Sequence, residues 1–155
     1  MYIFDHYALL YMIEEFPRII AQNHWKSFEC FCLDGTIISQ KEAQKSMDNT
    51  AKEPASLDWS KNHAALFLQI NGEEAQVLGE MMKKKEFDFF DKPQLVIRRT
   101  PEAIPFILCM AKVQKRIYVY RKSTNLEFLP RIMKICNQYG IAIMETQEWL
   151  TKINT

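Results

Sequence analysis

The chain has 155 residues, 48% of them apolar and 12% aromatic, enough to close one core and too apolar for a disordered segment. Its formal charge is +1. No apolar run reaches the length needed to cross a bilayer, and no basic stretch leads an apolar one at the N-terminus, so a single cytoplasmic domain over residues 1–155 is expected.

Charge is unevenly spread. Residues 1–80 carry twelve acids against six bases, and residues 81–155 carry seven acids against fourteen bases. Such asymmetry can mark a nucleic-acid face, although on charge alone two solvated surfaces that pair partly with each other are the simpler reading. Cys30, Cys32, Cys109 and Cys136 lie in apolar surroundings and read as free, buried thiols. With His6, His24 and His63 they lack the paired spacing of a zinc ligand set.

Tyr2 to Tyr7 reads as a short buried strand that ends on Asp5 and turns straight into a helix. An acid at that end of a strand in an open α/β sheet faces the crevice where such folds keep their sites. Leu9, Leu10, Met12, Ile13 and Phe16 then recur at helical spacing. Pro17 opens a second helix, with Ile20, His24, Phe28 and Phe31 on one face and Asp34-Gly35 at its end. Thr36-Ile37-Ile38 makes a minimal strand. Ser39 with Glu42 forms a capping box for the next helix. Asp48 to Ser60 is polar and reads as a loop with a turn of helix. The alanines in His63 to Ile70 favour helix there, broken by Asn71-Gly72. Glu73 to Lys85 is amphipathic, acids leading and lysines trailing, as the helix dipole favours.

Asp88 to Arg99 holds Phe89-Phe90 and the short apolar run Leu95-Val96-Ile97. Pro101 opens a helix that is apolar nearly all round, hence buried. Ile117-Tyr118-Val119-Tyr120 is a strand by composition. Leu126 to Tyr139 is a helix stopped by Gly140. Ile141 to Met144 is a last strand, and Thr146 caps a final helix carrying Trp149, Leu150 and Ile153. This alternation predicts an α/β fold whose parallel sheet is covered on both faces.

Met1 to Asp5, Trp25 to Met47, Pro105 to Ala111 and the closing strand–helix–strand–helix from Ile117 to Leu150 together resemble a PIN domain, over essentially the whole chain. The resemblance implies a PIN-like three-layer fold, with a mostly parallel central sheet of about 4–5 strands and helices on both faces. It also implies the activity most such proteins share. They are metal-dependent ribonucleases, many of them toxins of toxin–antitoxin pairs, in which three or four carboxylates hold Mg²⁺ or Mn²⁺. Hard divalent ions prefer oxygen ligands, and the ion activates water against a phosphodiester.

Carried over position by position, Asp5 matches the first acid. Ser46 stands at the second, Ile104 at the third and Arg121-Lys122 at the fourth. The resemblance therefore implies a degenerate site. The expectation is a protein that has lost ribonuclease activity, needs no cofactor, and acts in binding or regulation with RNA or with a protein partner such as an antitoxin. Arg98, Arg99, Arg121 and Lys122 are the candidate phosphate contacts, each otherwise an ordinary surface base. The alternative is an active Mg²⁺- or Mn²⁺-dependent endoribonuclease with Asp5, Glu102 and Glu145 as its catalytic acids and Asp5 as metal ligand. Against that stand plainer roles: Asp5 capping the helix that follows it, Glu102 complementing a helix N-terminus, Glu145 a solvated loop acid. Phe89, Phe90 and Trp149 suit either a homodimer interface or the core. Nothing forms a Ser/His/Asp or Cys/His nucleophilic site, and four glycines make a phosphate-cradling loop unexpected.

Overall fold

The computed structural model describes residues 1–86, 103–122 and 129–153. The expected run Leu95-Val96-Ile97, the expected helix start at Pro101, and Phe89, Phe90, Arg98, Arg99 and Glu102 lie outside the described residues. The strands are β1 (Tyr2–Phe4), β2 (Ile37–Gln40), β3 (Phe67–Leu68), β4 (Ile117–Tyr120) and β5 (Ile143–Glu145). The helices are α1 (His6–Leu10), α2 (Gln22–Asp34), α3 (Lys41–Thr50), α4 (Pro54–Asn62), α5 (Gly72–Met81), α6 (Ile104–Gln114), α7 (Leu129–Tyr139) and α8 (Thr146–Ile153).

Among the described residues the strands form one five-stranded sheet in the order β3-β2-β1-β4-β5, and every pairing is parallel. The chain steps outward from β1 to β3, then returns to build β4 and β5 on the other side. The order reverses between β1 and β4, which opens a crevice at the carboxyl ends of those two strands. Successive strand residues face opposite ways. Ile3, Ile38 and Tyr118 therefore join a core with α6 and α7, whereas Phe4, Ile37, Val119 and Met144 pack with α1, α2 and α8. This is the three-layer α/β/α arrangement expected from the alternating pattern. As expected, α6 is buried on nearly every side, with Ile104, Pro105 and Ile107 through Ala111 all inside. Among the described residues no helix is long and apolar enough to cross a membrane.

The local departures have identifiable causes. Helix α1 runs on into a π-helical turn, Tyr11–Glu15. Phe16 then takes an extended conformation, as a residue before proline favours. Pro17 therefore leads a hydrogen-bonded turn instead of a helix, and α2 starts only at Gln22. Ile20 is left 88% exposed, off the face it was expected to share with Phe28.

Helix α4 stands where a loop was expected. Pro54 occupies its first turn, and Glu14 supplies a distant cap: one carboxylate oxygen accepts from the amides of Lys52 and Glu53 and from Ser56 Oγ. Ala64–Leu66 is a single 3₁₀ turn feeding β3, not a helix, because Phe67 pairs with Ser39. Pairing within a sheet has overridden alanine's helix propensity. Ser39 itself lies inside β2 and donates to the Phe4 carbonyl at 2.7 Å. The cap of α3 is Gln40, which accepts from the Glu42 amide. A full capping box forms instead at Asn71 and Glu74. Cys32, Cys109 and Cys136 are buried free thiols, but Cys30 is exposed. Trp149 is a core residue, fully buried against Tyr2, Phe4 and Phe28.

Lys115 ends α6 with φ of 54°, alone among the non-glycine described residues in being left-handed. Its side chain is exposed, so the strain has no packing return. Lys115→Gly is expected to raise stability by about 1 kcal/mol, the cost a Cβ incurs in that region, seen as a higher urea midpoint at unchanged m-value.

Candidate functional site

The carboxyl edge of the sheet brings the ends of β1, β4 and β5 together. One step beyond the row Phe4–Val119–Met144 come Asp5, Tyr120 and Glu145. Asp5 is completely buried. As the N-cap of α1 it accepts the Ala8 amide on Oδ1 at 2.8 Å, and it accepts the Tyr118 hydroxyl on Oδ2 at 2.7 Å. One carboxylate thus joins β1, α1 and β4. Burial is the main reason its pKa is raised to about 6, against the lowering effect of those bonds. Burial likewise pushes the Tyr118 hydroxyl well above its ordinary range, with the Asp5 charge adding to it. Tyr118 therefore stays a donor.

His6 follows Asp5, is 1% exposed and lies against the Tyr7 ring at 4.0 Å. Its Nδ1 has no hydrogen-bond partner among the described residues, and neither does Trp149 Nε1. Burial pushes the His6 pKa down to about 4, so the ring is neutral at physiological pH.

Glu145 closes β5 and turns to its own helix. Its Oε2 accepts the Gln147 amide at 2.7 Å and its Oε1 accepts Thr146 Oγ1 at 2.8 Å. Arg121 reaches the same carboxylate at 3.5 Å and Glu15 at 4.0 Å, while its guanidinium lies 3.9 Å from the centre of the Tyr11 ring. Gln147 Nε2 donates to the Tyr11 hydroxyl at 2.8 Å. Arg121 thus ties the π-helical turn to the junction of β5 and α8, with only 19% of its side chain exposed. Lys122 beside it is exposed.

Asp5 and Glu145 share the edge but sit two strand spacings apart, about 10 Å between backbones, and each carboxylate serves a separate helix N-terminus. Glu102, Arg98 and Arg99 lie outside the described residues. Among the described residues no group of three or more His, Cys, Asp or Glu side chains is arranged to hold a metal ion. Ser46 is half-buried on α3, and Ile104 is fully buried. Tyr118 was missed as a site residue. The available signal was the alternation in Ile117 to Tyr120, which sends Tyr118 to the same face as Ile3. The Arg121–Tyr11 contact left no local trace.

A second polar cluster ties α2 to α4. Glu29 accepts the Trp59 indole N–H at 2.7 Å and faces His63 Nε2 at 2.9 Å. His63 also stacks on Trp59.

The architecture is that of an open, doubly wound parallel α/β domain with its polar residues gathered at the topological switch point. A family model described as a domain of unknown function (DUF4411) matches residues 2–155, and the chain belongs to that family. No curated protein and no solved structure matches it.

Two predictions follow from this edge. An acid whose pKa rises on folding holds its proton more readily in the folded chain, so the Asp5 contribution falls as pH rises from 3.8 towards 6. A base whose pKa falls on folding loses its contribution as pH drops from 6.5 towards 4, the case of His6. Each amounts to about 3 kcal/mol, and the two oppose each other. Relative to wild type, Asp5→Asn should therefore lose stability as pH is lowered through this window, and His6→Phe should gain it, both read by urea unfolding at a series of pH values. Arg121→Ala should cost about 1–2 kcal/mol through its ring and ion-pair contacts, and Arg121→Lys should recover less than half of that by the same measurement.

Proposed function

We propose that this chain is a PIN-like domain that has given up metal-dependent cleavage of RNA and works in the cytoplasm by binding, to RNA or to a protein partner. The observation that carries the reading is the state of Asp5: a fully buried carboxylate with both oxygens occupied by Ala8 and Tyr118. An acid so enclosed has no oxygen turned outward for a hard cation, which needs several such ligands at 2.0–2.6 Å. A buried isoleucine at 104 and a ring-bound arginine at 121 occupy positions where the resemblance implies acids. Lys122 offers an exposed base for phosphate contact, whereas the Arg121 guanidinium is largely committed to Tyr11 and Glu145.

The second reading is an active Mg²⁺- or Mn²⁺-dependent endoribonuclease of the toxin type, using Asp5, Glu102 and Glu145. In its favour, Asp5 and Glu145 both end strands on the carboxyl edge, next to the switch point.

The deciding experiment incubates the purified chain with end-labelled single-stranded RNA and Mn²⁺, beside Asp5→Asn, which keeps the shape of the cap. The binding reading expects no cleavage above that variant. Mn²⁺-dependent cleavage that Asp5→Asn abolishes establishes the nuclease instead. Filter binding of the same RNA at low and moderate salt then separates the two kinds of partner: retention that falls with salt marks RNA, and no retention leaves a protein.

A further inference from the structure

The segment between the π-helical turn and α2 holds two neighbouring isoleucines almost wholly in water, Ile19 at 87% and Ile20 at 88% exposure. Single exposed apolar residues are ordinary, but an adjacent pair beside an apolar hollow is a mark of an interaction site. The pair is held out by a fastened turn. The amides of Arg18, Ile20 and Ala21 are bonded to the carbonyls of Phe16 and Pro17. The Arg18 guanidinium donates to the Ile13 carbonyl and lies 4.4 Å from the Trp25 ring centre. Gln22 Nε2 reaches the Ile19 carbonyl. The backbone that carries this isoleucine ridge is therefore already held, which lowers the entropic cost of association.

Beside the ridge lies a hollow of about 510 Å³ with an apolar floor of Ile13, Phe16 and Pro17. Its charged lining is Glu14, Glu53 and Arg18. Arg18 is folded back onto Trp25, and one Glu14 oxygen caps α4, so the charge offered at the mouth is acidic, Glu53 being exposed.

We infer that the Ile19–Ile20 ridge and its acid-edged hollow dock a segment of a partner protein that presents aliphatic side chains beside lysine or arginine. The inference rests on the binding function proposed above and names the surface and chemistry it uses. Aliphatic groups of the partner cover the ridge and fill the hollow, and its cations meet the exposed Glu53 beside Glu14. The surface lies on the α1–α2 side of the molecule, built from different residues than the Asp5 edge.

The probe is a fluorescein-labelled 14-residue peptide patterned with leucine and lysine for an amphipathic helix, beside its leucine/glutamate counterpart, titrated by anisotropy. Expected are binding of the basic peptide that weakens with salt, at least tenfold weaker binding to Ile19→Ser/Ile20→Ser, and several-fold weaker binding with a shallower salt dependence for Glu53→Lys. Equal binding of the acidic peptide overturns the inference, as does unchanged affinity in the double serine variant shown to be folded by circular dichroism. Sedimentation of the protein alone supplies the remaining outcome: a dimer that the double variant dissolves assigns the ridge to a second copy of the chain and overturns the partner. RNA cleavage is scored separately, so its appearance with the peptide result intact removes the proposed function and leaves the docking surface standing.

Discussion

The carboxylate of Asp5 joins three elements through one buried side chain. It stops β1, starts α1 and holds the inner face of β4 through Tyr118. Each bond alone contributes modestly, about 1 kcal/mol net, but leaving either buried partner unpaired costs more. The cap fixes the start of α1 against the sheet, and the buried Ala8, Leu9, Met12 and Ile13 hold the helix and the π-helical turn that continues it. Burial makes the arrangement expensive for a negative charge and leaves His6, next in sequence, uncharged. A site that gathers cations wants the reverse, carboxylates that remain ionised and open to the crevice. In this fold Asp5 serves as a cap and a bridge.

The opposite edge is braced by a cation. Arg116 Nη1 lies within hydrogen-bond reach of the carbonyls of Gly35, Thr36 and Tyr2, at 3.0, 3.3 and 3.4 Å, and its Nε donates to Gln114. The amino ends of β1, β2 and β4 are thus pinned by one guanidinium, as their carboxyl ends are pinned by Asp5, Tyr118 and Ser39. Between the two edges the sheet is apolar on both faces, the pattern that a covered parallel sheet requires.

Much of this was legible because it depends on local pattern. The strand ending at Asp5, the all-round apolar helix α6, the β-branched and aromatic run of β4 and the glycine stop after α7 each carry their signal within a few residues. What was illegible depends on partners far along the chain. Helix α4 looks like a polar loop until Glu14 arrives to cap it. Ala64–Leu66 looks helical until β2 offers Phe67 a strand to pair with. Ser39 has the sequence of a cap and the position of a strand residue, because Phe4 claims its hydroxyl. At the candidate site the same division holds. Asp5 is visible as an acid at a strand end, but its enclosure by Tyr118, 113 residues away, has no local signature.

That separation bears on how the molecule is made. The innermost strand is made before the strands that flank it, yet its neighbour on one side comes more than a hundred residues later, together with Arg116 and Tyr118. At a synthesis rate of about 5–20 residues per second, β1 waits on the order of ten seconds with one flank unpaired. Contacts of such long sequence separation also make for slow closure once the chain is complete. The nascent protein therefore passes through a stage in which half a sheet presents a raw edge, and the synthesis of β4 is what seals it.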